Sequence, residues 1–228
     1  MGLILFIAIA LISFGVKWKF KSKFKKYSEI ALSSGLSGAE VAQKMLNDHG
    51  IYDVEIISAD GQLSDHYNPD KRTVNLSPDV YHGRSIAAAA VAAHECGHAV
   101  QHAKAYSWLQ FRSSMVPMVN VASSLVQWTL MIGFFLLIFS KIMIVLAIGV
   151  GALAILTIFS FITLPVEFDA SRRALVWLQT NKGIMQTSIE NDQAKDALWW
   201  AAMTYVVAAL ASLATLAYYA MMLFGRRN

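Results

Sequence analysis

The sequence predicts a mainly α-helical integral membrane protein, in which about four transmembrane helices carry a small α+β cytoplasmic region. Three observations predict it. Hydrophobic residues make up 56% of the 228, charged residues 15%, and the mean hydropathy is +0.47, a balance unlike that of a soluble domain. Residues 2–16, 116–164 and 198–224 are apolar runs. The middle run can cross a hydrocarbon core of about 30 Å twice, at about 1.5 Å per helical residue. Between these runs lie two polar segments, 17–115 and 165–197, and four crossings put both on one side.

The N-terminal run MGLILFIAIALISFGV precedes six lysines between Lys17 and Lys26. A secretory signal has its positive charge before the apolar run and a small-residue cleavage site after it. The reversed order reads as an uncleaved anchor whose lysines snorkel to the interface. The alternating KWKFKSKFK is then a solvated juxtamembrane stretch rather than a nucleic-acid patch. An amphipathic helix follows: Ser37 or Gly38 starts it, Val41, Met45 and Leu46 form its apolar face, and His49-Gly50 ends it. Val54 to Ile57 reads as a strand, Asp60-Gly61 as a hairpin turn, and Arg72 to Leu76 as a second strand. Ser77-Pro78 matches an N-cap with proline at the first helical position. From Gly83 or Arg84 a long alanine-rich helix runs through the histidines.

Residues 116–164 then form a helical hairpin with its turn at Lys141, and the last span carries Trp199-Trp200 at one end and Tyr218-Tyr219 near the other. Of nineteen Lys and Arg, sixteen fall on the side of the polar segments, with only Lys141, Arg226 and Arg227 opposite. The positive-inside rule therefore places both segments in the cytoplasm. The chain, 1–228, reads as one multi-pass domain. Its single cysteine, Cys96, excludes an internal disulfide and a cysteine-rich zinc site.

Chemistry concentrates in AHECGHAVQHA, residues 93–103. His94-Glu95-Cys96-Gly97-His98 is an HExxH pattern, and on a helix residues i and i+4 share a face, so both imidazoles can reach one Zn²⁺. Glu95 lies about 100° round the helix, where it reaches an attacking water rather than the metal. Cys96 points away as a packed thiol. A zinc hydrolase needs a third protein ligand. His102 starts about 12 Å along a straight helix from His94, too far for a shared metal, and reads as an interface or outer-sphere histidine.

The better third ligand is Glu167, in LPVEFDASRRALVWL, which the hairpin returns to the helix that launched it. Asp169 is placed to hold a ligand histidine by its outer N–H. Arg172 and Arg173 are placed to neutralise the carboxylates or bind a peptide carbonyl. The bland alternative is that these charges form an interfacial collar.

The blocks DHYNPDKRTVNLSPDVY, GRSIAAAAVAAHECGHAVQHA, LPVEFDASRRAL and ALWWAAMTYVVAALASL together resemble the YugP-like family of bacterial neutral membrane zinc metallopeptidases. More distantly, HExxH followed across a hairpin by Glu-x-x-Ala-Asp resembles the HtpX-like membrane gluzincins. The resemblance implies a zincin-like catalytic region, one Zn²⁺ per chain held by His94, His98 and Glu167, and a bacterial cytoplasmic (inner) membrane. Here the second block reads Glu167-Phe168-Asp169-Ala170-Ser171, with serine where those proteases have aspartate. The comparison also makes the strand Thr73–Leu76, with Asn75, an exposed edge that pairs with extended substrate, and lets His66, Tyr67 and Asn68 line the cleft. A polar hairpin loop is the alternative for the latter.

The expected function is a zinc endopeptidase in which Glu95 is general base, acting on unfolded or membrane-associated polypeptide at the cytoplasmic face, with the lipid bilayer as its other partner and no nucleic acid. The rivals are a membrane scaffold or chaperone-like protein with a structural zinc closed by a fourth ligand, and a zinc amidohydrolase acting on lipid amides.

Overall fold

The computed structural model describes residues 2–61, 64–140 and 142–225, so the expected turn residue Lys141 and the terminal Arg226-Arg227 pair lie outside the described residues. Among the described residues, seven helices and three short strands follow in the order α1 (Gly2–Ser28), α2 (Gly38–Asp48), β1 (Glu55–Ser58), β2 (His66–Asn68), β3 (Thr73–Leu76), α3 (Pro78–Tyr81), α4 (Ile86–Ala103), α5 (Ser107–Ser140), α6 (Ile144–Thr180) and α7 (Ser188–Phe224). The mainly helical, membrane-type architecture agrees with the sequence. Among the described residues three helices, α5, α6 and α7, are long and apolar enough to cross a membrane. Each runs well beyond the apolar segment that announced it. Helix α1 carries the apolar run straight into the lysine stretch without a break.

The chain divides into two compact units. The first comprises Met1–Gly15, Gln110–Leu164 and Tyr205–Asn228. Within it Leu130, Leu137, Leu146, Val150, Leu153 and Leu223 form a cluster. A Cβ on Gly133 would lie 2.6 Å from the main-chain nitrogen of Leu146, so α5 and α6 approach backbone to backbone there. The Thr157 and Ser212 hydroxyls meet at 2.7 Å between α6 and α7, satisfying each other among apolar neighbours. Large hydrophobics such as Leu125, Trp128, Phe135 and Ile148 stay exposed, as a lipid-facing surface requires.

The second unit, Val16–Leu109 with Pro165–Thr204, has a true hydrophobic core. Ser37 caps α2 through a reciprocal capping box with Glu40, which satisfies two free N–H donors at once. The α2 face Val41, Ala42, Met45 and Leu46 is fully buried against the alanine-rich α4. Gly38 permits the close approach of α2 to α3, since a Cβ there would meet the Val80 carbonyl oxygen. Ser85, not Gly83 or Arg84, is the N-cap of α4, its hydroxyl accepting from Ala88 N–H. Ser77 precedes Pro78 as expected but sends its hydroxyl to Asp65 instead of capping α3.

The sheet departs from the expected hairpin. Its order is β1-β3-β2, with β1 parallel to β3 and β2 antiparallel to it. The hairpin therefore joins β2 to β3, and residues 66–68 are a strand rather than a polar loop. Strand β3 is the centre of the sheet, buried along its length, and it is not the exposed edge that the sequence suggested. Asn75 spends its amide inside the sheet, donating to His66 O, Thr73 O and Thr73 Oγ1.

Candidate metal centre

Helix α4 presents His94 and His98 one turn apart, their ring centroids 4.9 Å from each other. The opposing side is α6, and it comes close because residue 97 is glycine. A Cβ at Gly97 would sit 2.6 Å from the Ala170 carbonyl oxygen, so only a bare backbone lets the two helices cross there. That crossing brings Glu167 over the histidines: its Oε2 lies 3.4 Å from His94 Nε2 and 3.7 Å from His98 Nε2. The three donor atoms fall within 4.8 Å of one another.

These spacings suit zinc. Four tetrahedral ligands at about 2.0–2.1 Å from a metal lie about 3.3 Å apart, close to the two distances seen. Glu167 is 3% exposed, and its Oε2 has no hydrogen-bond partner among the described residues. A buried, unsatisfied carboxylate oxygen is costly, and a cation between it and the two imidazoles would supply what the protein does not. Two neutral imidazole nitrogens and one carboxylate are a common donor set for catalytic zinc, leaving a fourth position open.

Glu95 is buried beside this cluster, and its Oε2 accepts from the Tyr67 main-chain N–H at 3.1 Å. Burial holds its carboxyl above the ordinary carboxylate range, with the adjacent His94 and His98 pulling the other way. For His98, burial disfavours the charged ring, but the Glu167 carboxylate outweighs it and the net shift is upward. Cys96, on the opposite face, is fully buried with its thiol against the Ala42 carbonyl oxygen at 3.6 Å.

The remaining candidates fall into place unevenly. His102 does not join the cluster; its Nδ1 bonds the Tyr67 hydroxyl at 2.8 Å. Asp169 does not touch a ligand histidine. It accepts from Gln101, Arg172 and Arg173, at 2.9, 2.8 and 2.5 Å, so the two arginines neutralise it as anticipated. His66 is exposed and its ring bonds Ser64 O at 2.7 Å.

Two residues that the sequence did not single out touch the two candidate histidines directly: Ser171 Oγ lies 3.1 Å from His94 Nδ1, and Gln101 Oε1 lies 3.0 Å from His98 Nδ1. Their signals were present. Ser171 follows Glu167 by four residues and stands where the distant family has aspartate, while Gln101 is three residues past His98 on the same helix.

Residues 2–224 match the family described as "Putative neutral zinc metallopeptidase". The chain is 41% identical over 228 residues to the "Putative membrane protease YugP" of Bacillus subtilis (strain 168), with 99% of each chain covered. No solved structure matches the chain.

Proposed function

The chain belongs to this neutral zinc metallopeptidase family, and from that premise we propose that it is a membrane-embedded zinc endopeptidase in which His94, His98 and Glu167 hold the metal. The observation that carries this is the buried Glu167 oxygen, without a hydrogen bond and 3.4 and 3.7 Å from two imidazole nitrogens. Zinc bound there supplies Lewis-acid polarisation of the scissile carbonyl and of the attacking water. Glu95 takes the proton of that water and returns it to the leaving amine. The Tyr67 N–H fixes one oxygen of the Glu95 carboxylate and so aims the other.

The same contact supports a substrate path. Among the described residues strand β2 pairs with β3 alone, and its Tyr67 N–H points away from β3 and is taken by Glu95. An extended polypeptide laid along that outer edge would lie beside the general base, held by main-chain groups other than the Tyr67 N–H and so without demand for a particular sequence. Unfolded or membrane-associated polypeptide is the substrate class this favours.

On this reading the N-terminal run, α1, is a fourth span beside the three long apolar helices, and the distribution of Lys and Arg supports a catalytic unit on the cytoplasmic face of the bacterial inner membrane. A scaffold with a closed structural zinc would need a fourth ligand from His102 or Asp169. Both are engaged elsewhere.

The test is purified protein with its zinc quantified, incubated with unfolded casein beside Glu95→Gln. The variant is expected to keep about one zinc per chain and lose at least about 100-fold in cleavage. Equal cleavage by both proteins sinks the enzyme reading, and zinc without cleavage by either points to the scaffold.

A further inference from the structure

Gln101 is completely buried on α4, three residues beyond His98. Its Nε2 donates to the Val166 carbonyl oxygen at 2.8 Å and to Asp169 Oδ2 at 2.9 Å. A side-chain amide nitrogen has two hydrogens, and both are used. Neither partner can donate in return, so turning the amide over would set its oxygen against two acceptors. Oε1 is therefore committed to His98 Nδ1, 3.0 Å away. An amide oxygen only accepts, so Nδ1 must carry the proton. In the neutral ring that binds a metal, Nε2 is then the bare nitrogen, and it is the one facing Glu167.

We infer that Gln101 is a positioning residue that locks His98 in the Nδ1–H tautomer, with Asp169 setting the direction of the amide. Asp169 is in turn fixed by Arg172 and Arg173, so the expected carboxylate–histidine link exists with an amide inserted between its ends. His94 is treated differently. Its Nδ1 meets the Ser171 hydroxyl, which can donate or accept and so imposes no tautomer. This inference rests on the zinc reading above, with His98 as a ligand.

Two experiments on detergent-solubilised full-length protein test it. Histidine-selective ¹⁵N NMR of the zinc-loaded wild type should show zinc on Nε2 and the proton on Nδ1 of His98; coordination of His98 through Nδ1 overturns the inference. Zinc affinity, read by chelator competition, should fall about 10- to 100-fold in Gln101→Met and in Gln101→Glu, the range for loss of an outer partner.

The pair Asp169→Asn and Asp169→Leu separates direction-setting from packing: the asparagine oxygen can still accept from Gln101 and Arg173, whereas leucine leaves the amide without its side-chain acceptor. Asp169→Asn should keep zinc affinity within about threefold of wild type and Asp169→Leu should lose about 10-fold, a split that a merely space-filling role for Gln101 would not produce. If Gln101→Met does not fold, Gln101→Glu and the Asp169 pair still decide. Unchanged affinity in the folded Gln101 variants, or equal affinity in the Asp169 pair, overturns the inference. Wild-type protein that binds no zinc would instead overturn the enzyme reading itself.

Discussion

The stretch of α4 from His94 to His102 and the stretch of α6 from Pro165 to Arg173 each bring a buried carboxylate to the same place, by different means. On α4 the arrangement is local. Helical geometry alone puts two imidazoles on one face and Glu95 round from them, and no other part of the molecule is needed to fix their spacing. On α6 everything is non-local: Glu167 reaches the histidines because a glycine backbone on α4 lets Ala170 come close. The supports differ as well. Glu95 has a main-chain N–H on one oxygen, whereas Glu167 Oε2 is buried with no hydrogen bond among the described residues. One carboxylate has a protein donor on one oxygen, and the other faces two imidazoles, a contrast that the proposed roles of general base and metal ligand would use.

The strongest way to break that contrast is to remove the non-local half. Glu167→Ala leaves α4 untouched and should weaken zinc binding by more than about 100-fold, beyond the effect of losing an outer partner. Chelator competition measures it. Wild-type affinity in this variant would mean that α4 alone holds the metal and that His102 moves in to help. Glu95→Gln, by contrast, is expected to leave zinc in place, so the two glutamates should separate binding from catalysis.

The same contrast explains what the sequence disclosed. HExxH, the capped α2 and the packed Cys96 were legible because each depends on residues within one or two helical turns. Glu167 was legible only through a topological argument about the apolar hairpin. The sheet was not: β2 is three polar residues with no alternation to announce it, and the parallel pairing of β1 with β3 depends on tertiary packing that no local pattern encodes. Asp169 was given the contact that Gln101 makes, because a sequence shows which residues lie near a histidine but not which of them is interposed.

A smaller perturbation sharpens the comparison at the crossing itself. Gly97→Ala should help α4 as an isolated helix by about 1 kcal/mol. In the folded protein the added methyl would lie 2.6 Å from the Ala170 carbonyl oxygen, and overpacking of this kind costs about 1–3 kcal/mol. The melting temperature should therefore fall despite the better helix former. Zinc affinity should drop with it, roughly fivefold for about 1 kcal/mol of displacement of Glu167. A variant that melts higher and binds zinc unchanged would show that the helices do not depend on this close approach.

The smallest effect is expected one residue away, on the other face of α4. Cys96 packs against α2 with its thiol on the Ala42 carbonyl oxygen, and burial pushes that thiol well above its ordinary pKa. Such a group is a space-filler and not a nucleophile, since only the thiolate reacts. Cys96→Ala should cost about 1 kcal/mol of stability for one lost sulfur and leave zinc content and casein cleavage unchanged. The wild-type thiol should resist alkylation in the native protein and react once it is unfolded. Loss of zinc in Cys96→Ala, from a residue that touches no ligand, would mean that the histidines owe their positions to the core behind α4 as much as to the helix, and the division between a local and a non-local half of the site would fail.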